Sequence, residues 1–188
     1  MMDFVPLINP TTNVIGIGEN IHLQLPANMH KNIFIDFIKR NKNYHEPWVY
    51  VSSDPRFYDQ YISRMKMGKT FGVFVFSNVD NQFIGVINLN SIRLDPFSSA
   101  TLGYYAEQTQ SGKGYMKEAL NLILDHAFVK IGLNRVEVNV QPNNTASLAL
   151  IKSVGFSKEG FSRKYLKIGN HYEDHERWAY LAEDFKLR

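Results

Sequence analysis

One stretch limits what this chain can fold into more than any other: residues 102–156, centred on Ser111-Gly112-Lys113-Gly114-Tyr115-Met116. Ahead of it, residues 100–106 read as a strand. Behind it, Met116, Ala119, Leu120, Ile123, Leu124, Ala127, Phe128 and Ile131 recur at steps of three and one, which marks one face of a helix. A strand, a glycine-bearing turn and a helix N-terminus in succession make a site for an anion. The first N–H groups of a helix lack intrahelical partners, and the helix dipole favours negative charge. Gly112 and Gly114 allow positive φ and close approach of a ligand to the backbone.

Composition narrows the classes. With 188 residues, 44% apolar and 13% aromatic, the chain holds enough apolar surface for one domain over residues 1–188. A net charge of +3 and a pI near 9.0 suit an anionic ligand. The basic residues are dispersed, so nucleic-acid binding has only the pI behind it. Cysteine is absent, which excludes disulfides, cysteine nucleophiles and thiolate metal sites. No signal-peptide pattern and no membrane-length apolar run occur, so the expectation is a soluble cytoplasmic protein.

Before the central stretch the chain reads as scaffold. Residues 1–18 form an extra strand or a draped arm. Gly16-Ile17-Gly18 starts like a dinucleotide fingerprint, but Ile21 occupies the third glycine position. Ile21, Leu23 and Leu25 alternate with polar residues as a half-buried strand. Asn28 then caps a helix carrying Ile33, Phe34, Phe37 and Ile38. Residues 43–48 form an aromatic and polar loop, and Asp54-Pro55 opens a second helix that buries Phe57, Tyr58, Tyr61, Ile62 and Met65. Residues 71–76 and 83–89 make a hairpin. Gly68-Lys69-Thr70 looks like the end of a P-loop, but the helix precedes it and Ser63 stands where a glycine is needed.

Past the central helix, Val136, Val138 and Val140 alternate with Glu137 and Asn139 as a strand. Asn143-Asn144 opens a helix with Ala146, Leu150 and Val154 on one side, closed by Gly155 at C′. A last hairpin turns at Gly169-Asn170. The order predicts an α/β fold with a mostly antiparallel sheet and helices on both faces. His171, Glu173 and His175 share a strand face with no fourth ligand, so we expect an exposed hairpin face and no metal. No Gly-x-Ser-x-Gly elbow supports a serine hydrolase.

Four pieces in order, residues 102–107, Gly112-Lys113-Gly114-Tyr115-Met116, Asn144-Thr145-Ala146-Ser147 and Val154-Gly155-Phe156, resemble the GNAT superfamily of N-acetyltransferases. Within it the chain is similar to the ribosomal-protein alanine/serine N-acetyltransferases, over nearly its whole length. The resemblance implies a sheet splayed between the fourth and fifth core strands, and acetyl-CoA as co-substrate. It implies that Ser111, Gly112, Lys113, Gly114, Tyr115 and Met116 cradle the pyrophosphate. The exposed edge of Tyr104, Tyr105 and Ala106 would pair with pantetheine, and Asn144 and Ser147 would line the channel near the sulfur. Three positions depart from the family. Ser111 stands where Arg or Gln is common, and Ile151 where many members place an acidic tyrosine, a role assigned in the ribosomal branch to a serine matching Ser147. Lys164 stands where a basic carboxylate has been proposed.

Acetyl transfer needs a neutral amine, donors for the oxyanion and an exit for the thiolate. Glu107, at the end of the splayed strand, is the candidate base, and Ser147 the group that meets the thiolate. Tyr44, His45 and Trp48 are candidate walls of the acceptor pocket, with Tyr104; because Tyr104 and Tyr105 alternate across the sheet, one of them faces the cleft. The expected acceptor is a protein N-terminal α-amine. A small amine such as an aminoglycoside or polyamine is the alternative, as is an acyl-CoA-binding regulatory module without catalysis, suggested by Ile151 and Lys164. The protein would act as a monomer or homodimer, without nucleic acid, membrane or metal.

Overall fold

The computed structural model describes residues 13–186, and for Lys186 the backbone alone. β3 (Thr70–Ser77) is buried along its whole length, so apolar side chains leave both of its faces and both need cover. Phe74 and Phe76 point to one side, against Phe34 and Phe37 of α1 (Lys31–Arg40) and Tyr58 and Tyr61 of α3 (Pro55–Lys66). Val73 and Val75 point to the other, where α4 (Tyr115–Asp125) and α5 (Thr145–Val154) lie with Leu120, Ile123, Leu124 and Ile151 fully buried. Helices therefore cover both faces, as the order of elements predicts.

The other strands are β1 (Val14–Ile17), β2 (Ile21–Gln24), β4 (Phe83–Arg93), β5 (Ser99–Ala106), β6 (Arg135–Val140), β7 (Ser157–Ile168) and β8 (His171–Leu181). They form one sheet in the order β1-β2-β3-β4-β5-β6-β8-β7. Every pairing is antiparallel except β5 with β6. That parallel pair runs from Ser99↔Arg135 to Leu102↔Val138 and stops. Beyond it β5 stays with β4 as far as Gly85↔Ala106, while β6 stays with β8 as far as Val140↔Glu176. The splay lies between the fourth and fifth strands counted from β2.

Several local expectations change. Residues 14–17 do form an edge strand; the rest of the expected arm, 1–12, lies outside the described residues. Asn28 sits in a 3-10 turn, and α1 starts at Lys31, because the Ala27 N–H donates to His30 Nδ1 at 3.0 Å and fixes the entry there. The loop at 43–48 contains a single helical turn, α2 (Lys42–His45). The periodic face of α4 continues into a π-turn, His126–Lys130. A terminal turn, α6 (Ala182–Lys186), adds to the helices. Asp54 caps α3 as expected, its carboxylate accepting from Arg56 N–H at 2.8 Å. No helix among the described residues is long and apolar enough to cross a membrane.

Of the histidines buried among the described residues, His30, His45 and His126, at 6%, 5% and 5% exposure, have their titration displaced by burial. Burial lowers the pKa of each, because the charged form is poorly solvated there. In the unfolded chain they titrate near 6.5. Between that value and their lower folded values the unfolded state binds more protons, so stability falls as pH drops below about 6.5. The expected slope reaches about 1.4 kcal/mol per pH unit for each histidine. Urea unfolding at about pH 7.5 and about pH 5.5 checks it, with His126→Gln expected to flatten the slope.

Candidate active site

The cleft lies where β5 and β6 part, with a volume of about 680 Å³. Its anion-binding wall is the loop that enters α4. Gly112 and Gly114 have φ of 79° and 83°, and Gly114, as N-cap, offers no side chain to the first turn. The first intrahelical bond is Glu118 N–H to Gly114 O, at 3.1 Å. Among the described residues, no acceptor takes the backbone N–H groups of Gly112 through Lys117. That is a row of donors at the positive end of a helix, the arrangement that binds a diphosphate.

The second wall is the free edge of β5. Glu107 N–H donates to Ile84 O of β4 at 2.7 Å. By the alternation of an antiparallel ladder, Ala106 and Tyr104 turn their backbone groups to the opposite side, where β6 has already left. Gly85 lies opposite Ala106 for a steric reason. A Cβ there would stand 2.7 Å from Tyr105 O and 3.2 Å from Met116 Sδ.

α5 supplies the third wall. Asn144 is its N-cap, and Oδ1 accepts from Ser147 N–H at 3.1 Å. Ser147 Oγ lies 2.5 Å from the hydroxyl of Tyr104. Burial pushes the Tyr104 phenol up to about 12, the hydrogen bond with Ser147 working against the rise. Tyr105 is on the other face of the sheet, with its ring centroid 6.0 Å from Phe37 and 5.4 Å from His45. Both tyrosines border the cleft. The expectation that one would do so fails because the sheet itself opens here, so both of its faces reach the gap.

The fourth wall is the end of α1 together with α2. Arg40 Nε donates to Glu107 Oε2 at 2.6 Å, and Asn41 Oδ1 accepts from Gln108 N–H at 2.9 Å. The hydroxyls of Tyr44 and Ser111 are 3.0 Å apart. His45 Nε2 donates to Ala106 O at 2.8 Å, which leaves Nδ1 as a buried lone pair with no partner among the described residues. Burial holds this histidine in the neutral form, against the opposing effects of that hydrogen bond and the Glu107 charge. Gln141, just past β6, donates to Pro47 O at 3.2 Å, which joins the two sides of the cleft beside Trp48.

Of the site residues expected from sequence, Tyr44, His45, Trp48 and Glu107 border the cleft from the α1–α2 side. Ser111, Gly112, Gly114, Tyr115 and Met116 border it from the loop, and Asn144 and Ser147 from α5. Lys113 does not; its Nζ turns back to Gln110 Oε1 at 2.7 Å. Among the described residues the lysine that borders the cleft is Lys117, a residue that sequence reasoning missed. Helical phase was the signal: α4 begins at Tyr115, and Lys117 stands in its first turn. Arg40 and Asn41 were missed too. Away from the cleft, His175 is buried, not exposed as expected. Its Nδ1 donates to Glu173 O at 3.0 Å and its ring faces Tyr165.

The acetyltransferase (GNAT) domain family matches residues 28–157. The chain belongs to that family. Within it, the chain is 34% identical over 125 residues to the probable N-acetyltransferase YjcK of Bacillus subtilis, covering 66% of this chain and 69% of that protein. It is 28% identical over 158 residues to the ribosomal protein uS5-alanine N-acetyltransferase of Escherichia coli, covering 80% and 81%. Mycobacterium smegmatis RimJ, solved in complex with CoA-disulfide, shares the fold with a TM-score of 0.81 at 24% identity, over 87% of this chain and 83% of that one. In this GNAT chain Ile151 is fully buried in the core. Lys164 sits at positive φ within a register shift of β7, its N–H on Asp174 Oδ1.

Asn41 is 1% exposed and its amide also donates to Phe37 O. Asn41→Ala leaves the Gln108 N–H without its partner, while Phe37 O keeps the Asn41 backbone N–H, so it is expected to cost about 1–3 kcal/mol of stability. It is also expected to raise the KM for acetyl-CoA more than it lowers kcat. Urea unfolding and steady-state kinetics measure the two effects.

Proposed function

We propose that the protein transfers the acetyl group of acetyl-CoA to the N-terminal α-amine of a protein by direct attack, a reading supported by its similarity to a ribosomal protein uS5-alanine N-acetyltransferase. One observation carries the reading: the free edge of β5 and the uncapped start of α4 border the same cleft. Acetyl-CoA, when bound, supplies an activated thioester carbonyl. The N–H groups of Gly112 to Lys117 hold the diphosphate, and Lys117 adds a positive charge. The outward backbone groups of Tyr104 take the extended thiol arm as a sheet edge takes an added strand. The Ala106 N–H is a donor for the developing oxyanion. Such positioning is worth up to about 7–11 kcal/mol of barrier in favourable cases, which leaves little for acid–base groups to supply.

Glu107 is the base in this reading. Oε2 is committed to Arg40 and Oε1 has no partner among the described residues, so Oε1 takes the proton through a water or from the amine itself. An α-amine with a pKa of about 7.7–8.0 is already partly neutral near pH 7.5, so a weak base suffices. Charge favours a protein N-terminus over a polycation. Among the described residues Glu107 is the one carboxylate bordering the cleft, and Arg40 neutralises it. A polyamine or aminoglycoside meets no acidic surface there, whereas an N-terminus brings a single charge past Tyr44, His45 and Trp48. A cytoplasmic setting accompanies such a substrate.

CoA-thiol release from acetyl-CoA against a panel of amines tests this. Short peptides with free N-terminal Ala or Ser are expected to turn over, and N-blocked lysine peptides and aminoglycosides are not. Turnover on aminoglycosides alone would reassign the acceptor. CoA binding without turnover on any amine would favour a regulatory module. Glu107→Gln is expected to lower kcat about 100-fold or more on the peptides while leaving the Kd for CoA within about a factor of three. An unchanged kcat removes Glu107 as base.

A further inference from the structure

We infer that Tyr104 and Ser147 act as one hydrogen-bonding unit that solvates the departing CoA as a thiolate, with Tyr104 orienting the Ser147 hydroxyl. The inference rests on the acetyl-CoA reading of the cleft. It gives Tyr104, expected from sequence to wall the acceptor pocket, a positioning role toward the leaving group.

The geometry sets the direction of the unit. Tyr104 reaches from β5 to the first turn of α5, where its hydroxyl is 2.5 Å from Ser147 Oγ and 3.4 Å from Ser147 O. A phenol is a stronger acid than an aliphatic hydroxyl, so Tyr104 donates and Ser147 accepts. The backbone of Ser147 is held in the first turn by its N–H on Asn144 Oδ1, and the Tyr104 hydroxyl holds its Oγ. Its own hydroxyl proton is then left for the cleft that Ser147 borders. The first turn of α5 adds the positive end of a helix on the same side.

Acidity decides between donating a hydrogen bond and giving up a proton. When the amine attacks, the N–C bond forms and the C–S bond breaks, with the electron pair leaving on sulfur. A thiol titrates near 8.5 and the Tyr104 phenol near 12. Moving the phenol proton to sulfur is uphill by about three and a half units, a factor of a few thousand. The pair therefore keeps its protons. CoA leaves as the thiolate, carrying one hydrogen bond from Ser147, and takes a proton from water on release. The amine's proton leaves separately by way of Glu107.

The equilibrium counterpart is the acidity of the CoA thiol in the binary complex, which needs no acceptor. It is read by titrating the ultraviolet thiolate absorbance of CoA bound to the wild type, Tyr104→Phe, Ser147→Ala and the double variant, against desulfo-CoA complexes as blanks. The wild type is expected to lower the thiol's titration midpoint by about one to two pH units relative to free CoA. Ser147→Ala is expected to abolish most of that shift, and Tyr104→Phe part of it. The double variant is expected to match Ser147→Ala alone, because Tyr104 acts through the serine. A residue that merely packs would change the Kd for CoA and leave the midpoint in place. A wild-type midpoint equal to that of free CoA, with CoA bound, overturns this inference and spares the acetyl-CoA reading. So does a further effect of Tyr104→Phe in the Ser147→Ala background. Absence of CoA binding to the wild type overturns both.

Discussion

The parting of β5 from β6 is the constraint on which the rest of the molecule depends. Parallel pairing ends at Leu102↔Val138, and a strand that loses its neighbour leaves backbone donors and acceptors that water or a ligand must satisfy. Neither strand is free to close the gap. β6 is held by β8 through Val140↔Glu176, and β5 by β4 through Gly85↔Ala106. β4 holds β5 closely because Gly85 has no side chain to push Tyr105 O and Met116 away. The opening is thus enforced by the ladders on either side of it.

A second set of bonds keeps the open strand from fraying. Within two helical turns, Arg40, Asn41, Tyr44 and His45 engage Glu107, Gln108, Ser111 and Ala106 in turn. Each takes a different chemical group, respectively a carboxylate, an N–H, a hydroxyl and a carbonyl, so the segment between β5 and the anion loop is specified atom by atom. Glu107 is nearly buried while Arg40 is half exposed. The pair therefore keeps one charge in water, which limits the desolvation cost that burying both would bring. The same contact draws charge out of the cleft, and it ties substrate preference to the anchoring of a loop.

The sheet was legible in sequence because its strands carry a period of two. Val136, Val138 and Val140 are buried while Arg135, Glu137 and Asn139 are not, and β3 is apolar on both faces because both are covered. The face of α4, the Asn144 cap and the glycine turn were legible for the same reason: each is a local pattern with a local cause. The clamp was not. Arg40 and Asn41 read as the polar end of an amphipathic helix, and only the tertiary fold brings Glu107 and Gln108, 67 positions later, against them. Lys113 was expected at the ligand, and Lys117 missed, because a loop motif suggests that its own lysine meets the ligand. Helical phase, fixed by where α4 starts, decides otherwise. His175 was misjudged because alternation on an edge hairpin cannot show that Tyr165 folds over one of its positions.

The sequence feature that most suggested lost catalysis, Ile151, has a structural counterpart across the cleft. Ile151 is one helical turn beyond Ser147 on α5, fully buried against the sheet. A tyrosine there would have to leave the core to reach a leaving group, at the cost of a large cavity. This chain instead brings a phenol from the opposite wall, on β5, and lands it on Ser147. The arrangement keeps the core of α5 apolar and still places an aromatic hydroxyl beside the first turn of that helix. It also changes what the hydroxyl can do. A phenol enclosed between strand and helix is held neutral, up to about 12, and so is suited to orienting a neighbour's proton more than to surrendering its own.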